Sequence, residues 1–275
     1  MRNEKLETPQ SSQIEGRIMA PKDFRSLIRE GKWTSRTGGV CQGYAQSNLV
    51  ILPKEYAFEF LLFCNRNPRS CPVLDVTEPG DPHPRLVAPD ADLRTDLSKY
   101  RIFQDGRLVD EPSDIIEYWK DNLVGFLLGC SFSFEWALTA ANVPWRIYSV
   151  YRTTIPCIPA GRFHGPMAVT PYAFMNSHDA VRAVQISSRH LLMHGPPIHI
   201  GDAAAIGIKN LGEPDPFFPT RPFVEPPKPG EVVMYWGCGA TPQSVALESK
   251  VPFVITHCPG YMFVTDHLAE ELAIL

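Results

Sequence analysis

No stretch of this 275-residue sequence is apolar for long enough to cross a membrane. The longest, from Leu123 to Cys130, falls far short of the roughly 20 residues a spanning helix needs. Basic clusters are missing too. The net charge is −4 and the pI about 6.1, which argues against nucleic acid as a partner, since that partner selects for a clustered basic excess. The segment Met1 to Glu15 is polar and has no apolar h-region, so no signal peptide is expected. The seven cysteines, Cys41, Cys64, Cys71, Cys130, Cys157, Cys238 and Cys258, are odd in number and form no CxxC pair. Disulfides and structural zinc are therefore not expected, and buried, reduced thiols in a cytoplasmic protein are.

Among what is present, hydrophobic residues make up 44% and charged residues 20%, ordinary values for a globular chain of one or two domains. Proline is plentiful, 27 against 19 glycines. It gathers in Glu78 to Pro84 and in Glu213 to Gly230, which reads as stiff connections between short elements. Residues 1 to 19 read as a disordered leader. Helices are predicted over Pro21–Glu30, Lys54–Cys64, Ser113–Phe126, Phe132–Ala141 and Ser177–Ser187. The third rests on Asp114 and Glu117 at capping-box spacing and on Ile115, Trp119, Leu123 and Phe126 at helical period. Strands are predicted at Asn48–Leu52, Val73–Val76, Met167–Thr170, Val232–Trp236 and Phe253–Thr256. Alternating strands and helices favour a layered α/β fold. The Gly-, Pro- and His-rich texture of 145–230 marks a smaller α+β domain inserted into a larger one built from 20–144 plus 231–275.

Four motifs are candidates for chemistry. Gly129-Cys130-Ser131 is read as the corner where one helix ends at the glycine and another, bearing Glu135, begins. Such a terminus can hold an anion, with Glu135 one turn in as a base; a plain helix corner capped by serine fits the same residues. Gly237-Cys238-Gly239-Ala240-Thr241-Pro242 follows a strand and opens another helix, with Thr241 as its predicted N-cap, and its glycines allow close approach of a ligand or merely make the turn. It is neither a dinucleotide fingerprint nor a P-loop, so no nucleotide is implied. His194, His199 and Asp202 lie within nine residues but lack the i,i+4 zinc arrangement, and no metal is expected; His257 ends the last predicted core strand. Arg152, in Tyr151-Arg152-Thr153, offers a guanidinium fork for a carboxylate or for an internal ion pair.

Taken in order, these motifs form a specific succession with Arg36-Thr37-Gly38-Gly39, Gly43-Tyr44-Ala45-Gln46-Ser47-Asn48, Phe63 to Pro68, Glu78 to Pro82, Gly207-Ile208 and Thr256-His257 through Pro259-Gly260 to Asp266. From about residue 22 onward the chain resembles the bacterial D-glutamate cyclase family, whose members carry the generic label hydro-lyase. The resemblance implies a larger three-layer α/β/α-like portion with a smaller part. It also implies cyclisation of D-glutamate to 5-oxo-D-proline with loss of water and no organic cofactor. Tyr261 departs from the family pattern, standing where a histidine is common.

That reaction needs an anchored carboxylate, a neutral amine beside the γ-carboxyl carbon, and donors for the oxyanion. The expected parts are Arg152 as anchor, Glu135, His199 or His257 as acid and base, and the segments Gly129-Cys130-Ser131 and Gly237-Cys238-Gly239 with Thr241 and His194 as the binding surface. A dehydratase or amide hydrolase for another small acid is the nearest alternative, and a non-catalytic carboxylate binder the more distant one. The partner expected is a small carboxylate, with self-association left open.

Overall fold

In a computed structural model of the chain, the residues described are 19–213, 215, 218 and 225–274. The predicted leader, apart from Met19, lies outside them. The chain is a mixed α/β protein built on two sheets, and every strand pair among the described residues is antiparallel. In chain order the elements are α1 (Pro21–Arg29), β1 (Tyr44–Pro53), α2 (Lys54–Arg66), β2 (Val73–Val76), β3 (Tyr100–Gln104), β4 (Arg107–Asp110), β5 (Leu123–Gly129) and α3 (Phe132–Ala140). There follow β6 (Trp145–Ile147), β7 (Tyr151–Pro156), β8 (Pro166–Phe174), α4 (Ser177–Ser188), β9 (His199–Ile200), β10 (Val232–Gly237), α5 (Ala240–Glu248), β11 (Phe253–His257) and β12 (Phe263–Leu268).

The first sheet runs β2-β5-β1-β11-β3-β4, with β12 also paired to β1. β1 is its centre because alternate residues face two cores. Val50 and Leu52 pack toward Phe60 and Phe63 of α2, while Leu49 and Ile51 pack on Leu93, Leu97, Tyr100 and Ile115. The segment between β2 and β3 that supplies this second cover contains no helix. α1 docks on the rim, where fully buried Arg25 donates to the Val264 carbonyl at 2.8 Å and to Asp266 at 2.9 Å. The second sheet runs β6-β8-β10-β9, with β7 on β8. Phe134 and Leu138 of α3, and Ala180 and Ala183 of α4, bury Tyr172, Phe174, Met234 and Trp236 on one of its faces.

One predicted helix does not form. Ser113–Phe126 is a turn region followed by β5, every residue of which is buried. A short apolar run buried on both faces carries no period to distinguish strand from helix, and Leu123 and Phe126 fell at helical spacing by chance. The expected strand Val232–Trp236 pairs with β8 and so belongs to the second sheet.

The two sheets meet through glycines. A Cβ on Gly129 would lie 1.7 Å from the Leu192 carbonyl oxygen, and one on Gly237 would lie 2.2 Å from that of Arg69. These contacts seat the 3₁₀ turn Leu191–Met193 on the end of β5 and the loop after α2 on the end of β10. Backbone cannot step aside as a side chain can. Gly129→Ala should therefore lower unfolding free energy in chemical denaturation by about 3 kcal/mol, the upper end for overpacking. Gly38→Ala, whose nearest neighbour would be the Phe132 ring at 3.6 Å, should be close to neutral. Equal stability of the two variants would contradict the close packing at Gly129.

A cavity between the sheet ends as the candidate functional site

Residues on β1, β8 and β11, and those that directly follow β5 and β10, line one cavity of about 600 Å³, a size suited to a small molecule. Its polar wall comprises Asn48, Cys130, Ser131, Thr170, His194, Cys238, Gln243 and His257, and Arg36 stands with Trp33, Tyr261 and Met262 among its lining residues. Of the residues singled out from sequence, Cys130, Ser131, Cys238, Gly239, His194 and His257 come together here.

The two histidines are held by backbone in opposite senses. His257 is buried at the end of β11, and the Leu49 N–H of β1 donates to its Nδ1 at 3.1 Å. The Leu49 carbonyl oxygen is also within 3.4 Å of Nδ1, but the N–H contact is the shorter, and a backbone N–H can only donate; we therefore assign Nδ1 as the acceptor and the proton to Nε2. The Gln243 amide nitrogen lies 3.1 Å from Nδ1 and 3.3 Å from Nε2; near-equal distances place it across the ring rather than along one lone pair. His194 is also buried, and its Nδ1 lies 3.0 Å from the Arg69 carbonyl oxygen. A carbonyl only accepts, so Nδ1 carries the proton and Nε2 keeps its lone pair. Burial pushes both imidazoles down from the usual 6.5 to about 4, with the Arg69 and Arg101 guanidiniums adding to the effect. Both rings are therefore neutral near pH 7, one presenting an N–H and the other a lone pair.

His194 has a left-handed backbone, φ +78°, which costs a non-glycine residue about 1–3 kcal/mol and recurs at functional sites. Arg69 secures it from both directions, its Nε donating 2.8 Å to the His194 carbonyl. Asn48 spends its amide hydrogens on the carbonyls of Gly129 at 3.0 Å and Leu128 at 3.3 Å. Its Oδ1 remains an acceptor on the cavity wall. A Cβ on Gly239 would lie 2.0 Å from the Asn48 amide nitrogen, so this glycine serves the approach of α5 to β1.

The thiols are not nucleophiles in waiting. Burial raises Cys130 and Cys238 above the ordinary cysteine range, against hydrogen bonds from the N–H groups of Phe132 and Ala240 and from Thr170. Instead, each sulfur holds a backbone N–H at the start of a helix. Among the described residues, no three His, Cys, Asp or Glu side chains gather as a metal site. All seven cysteines are free.

Several sequence candidates lie elsewhere. Arg152 does not line the cavity: it pairs with Asp215 at 2.9 Å and Glu248 at 3.3 Å, beside a separate surface hollow. His199 packs at a tilt against Tyr235, ring centroids 5.3 Å apart, with its Nε2 2.7 Å from the Asp202 carbonyl. Thr241 is not the cap of α5, which starts at Ala240 after Gly239; its buried hydroxyl bridges the Ala168 N–H at 2.9 Å and carbonyl at 3.2 Å, tying α5 to β8. Gly129 and Gly237 admit neighbouring backbone, as described above, and Glu135 sits behind the wall, its Oε1 2.6 Å from the Tyr172 hydroxyl.

Arg36 and Asn48 are among the cavity residues that escaped selection from sequence. Arg36 is exposed at the cavity and makes no ion pair among the described residues. Its loop is tied down by the Thr37 N–H, which donates 2.9 Å to the Gly260 carbonyl, and by the Met262 N–H, which donates 2.8 Å to the Thr37 hydroxyl. The signal lay in Arg36-Thr37-Gly38-Gly39, an arginine beside paired glycines.

The chain belongs to the D-glutamate cyclase family. The model of that family matches residues 124–266. The protein named "Putative hydro-lyase YcsI" of Bacillus subtilis is 53% identical over 263 residues, spanning 94% of this chain and 100% of the relative. "Putative hydro-lyase GK2103" of Geobacillus kaustophilus is 51% identical over 265 residues, 94% of this chain and 98% of the relative. Among solved structures, a nitrogen repressor-like protein from Methanococcus jannaschii aligns at TM-score 0.40 and 7% identity, over 86% of this chain and 91% of that one, too slight a likeness to inform either fold or chemistry. No helix among the described residues is long and apolar enough to cross a membrane.

The histidine environment has a consequence for stability. Both imidazoles titrate near 4 when folded and near 6.5 when not, so the unfolded chain binds more protons between those values. Their contribution is complete above about pH 6.5 and is lost as pH falls toward 4, roughly 3 kcal/mol for each ring. Chemical denaturation from about pH 8 to 4 should show this decline, and His194→Gln and His257→Gln should each make it shallower. A wild-type slope in both variants would contradict the assignment.

Proposed function

We propose that this member of the D-glutamate cyclase family closes D-glutamate on itself in the cavity between the sheet ends, giving 5-oxo-D-proline and water. The observation that carries the reading is the pair of buried, neutral histidines that present a lone pair and an N–H to the same space. Ring closure turns a carboxylate oxygen into a developing oxyanion while an amine sheds protons, so an acceptor and a donor are needed together.

Arg36 takes the α-carboxylate with its guanidinium fork, the role expected of Arg152 before its ion pairs were seen. Asn48 Oδ1 accepts from the substrate ammonium. His194 Nε2 receives a proton from the nitrogen as it attacks the γ-carboxyl carbon, and later delivers it to the departing oxygen. The low pKa keeps this lone pair open at neutral pH while weakening it as a base, so burial of the ammonium must lower the amine's own pKa as well. His257 Nε2–H donates to the oxyanion, supported by the N-terminal ends of α3 and α5. His257 is therefore an electrophile in this scheme, and not the base expected from its position in the sequence. Holding amine and carboxyl carbon in contact supplies the remaining advantage.

The hydro-lyase names of the relatives agree with loss of water. An amide hydrolase with a cysteine nucleophile is disfavoured by the raised thiol pKa values at Cys130 and Cys238. Incubation with a panel of D- and L-amino and hydroxy acids, read by mass spectrometry, should show loss of one water from D-glutamate in preference to L-glutamate. His257→Ala should lower kcat by about 10²–10³-fold, the usual cost of one oxyanion donor. If no member of the panel loses water, or if His257→Ala turns over at the wild-type rate, the reading fails.

A further inference from the structure

Glu135 has its carboxylate outside the cavity wall, yet a line of hydroxyls leads to it from inside. Ser131 Oγ lines the cavity and lies 2.9 Å from the Tyr172 hydroxyl, which lies 2.6 Å from Glu135 Oε1. Tyr172 is fully buried, and its ring is wedged edge-on against Trp236 at 5.3 Å and Trp145 at 5.7 Å. A phenol has one proton to give. With a carboxylate on one side, Tyr172 donates to Glu135 and accepts from Ser131. The three groups thus form a chain oriented from the cavity outward. Burial, and then the charge of Glu135, raise the Tyr172 pKa well above its usual value, so the phenol passes a proton only by taking one as it gives one.

Ring closure of an ammonium onto a carboxylate moves two protons from nitrogen to the departing oxygen. His194 Nε2 holds one. His257 lends a hydrogen bond but cannot release its Nε2 proton without becoming an imidazolate. The second proton needs another place.

We propose that Ser131, Tyr172 and Glu135 form a second proton route serving the cyclisation, a proposal that rests on the function assigned above. As the C–N bond forms, one N–H proton passes to Ser131 Oγ, the Ser131 proton to Tyr172 and the Tyr172 proton to Glu135, leaving a neutral carboxylic acid. The reverse sequence delivers that proton to the oxygen that leaves as water, so that charge and atoms balance and no co-reactant is required. Ser131 is the catalytic residue of this route; Tyr172 and Glu135 act through it as positioning residues.

The test compares Tyr172→Phe, Ser131→Ala and Ser131→Thr in the full chain with D-glutamate as substrate, measuring thermal stability, KM, kcat and the dependence of kcat on the deuterium content of the solvent. Tyr172→Phe and Ser131→Ala should keep KM near wild type and remain folded at the assay temperature while kcat per folded molecule falls about 10²-fold. The curved dependence on deuterium fraction expected for several moving protons should become linear in both. Ser131→Thr, which retains the hydroxyl, should restore most of kcat and the curvature. Wild-type kcat in either of the first two variants overturns the route, as does a loss of activity that tracks the folded fraction alone. Should Tyr172→Phe fail to fold, Ser131→Ala decides by the same criteria. A wild type that neither binds nor dehydrates D-glutamate removes the cyclisation reading and this route with it. A wild type that dehydrates D-glutamate with variants unaffected removes the route alone.

Discussion

A single backbone N–H, that of Leu49, governs the chemistry available in the cavity. It sits in the middle of β1, the strand with both faces buried, and donates to His257 Nδ1. That bond sets which ring nitrogen carries the proton, and burial then keeps the ring neutral. The Arg69 carbonyl imposes the opposite tautomer on His194. His194 cannot exchange roles without losing its buried hydrogen bond, a loss of about 1–3 kcal/mol, and His257 could do so only by trading the 3.1 Å bond from the Leu49 N–H for the 3.4 Å contact with the Leu49 carbonyl. Acid–base character here is thus a property of the scaffold, written by backbone groups whose positions are set by strand pairing and loop packing.

The scaffold holds those groups by close backbone approach. Gly129, Gly237 and Gly239 look in the sequence like a binding surface for a ligand, and the space beside each is already occupied by Leu192, Arg69 and Asn48 respectively. Their function is to let two antiparallel sheets and the turn bearing His194 come within contact. The wall facing the cavity is made by Gly239 with Cys130, Ser131, Cys238, Ala240 and the two histidines. The left-handed backbone at His194 stores a little of the strain this requires, and the hydrogen bonds to Arg69 offset it.

Much of this was readable beforehand, for local reasons. The helices α1, α2, α3 and α4 announce themselves by proline at a first turn, helical spacing of Phe and Leu, or glycine after the end, and the apolar runs of β1, β8, β10 and β11 by β-branched residues between turns. The run Leu123–Gly129 was misread because burial on both faces removes the period that separates strand from helix. The motifs around residues 130, 194, 238 and 257 converge on one cavity. Arg152 lies away from the cavity because it pairs with acids 63 and 96 residues away in the chain, and Arg36 was overlooked because having no ion pair among the described residues is a property of space. Ser131 was read as part of the binding surface, with a helix cap as the plainer alternative; it makes no capping bond, and its contact with Tyr172, 41 residues on, has no local signature.

The central claim is that the two cavity histidines are neutral and of opposite tautomer. Nitrogen-15 NMR of histidine-labelled protein at about pH 7, with His194→Gln and His257→Gln used to assign the signals, tests it most directly. The account predicts a protonated Nδ1 and a bare Nε2 for His194, and the reverse for His257. Finding the same tautomer at both positions, or a charged ring at either, would contradict it.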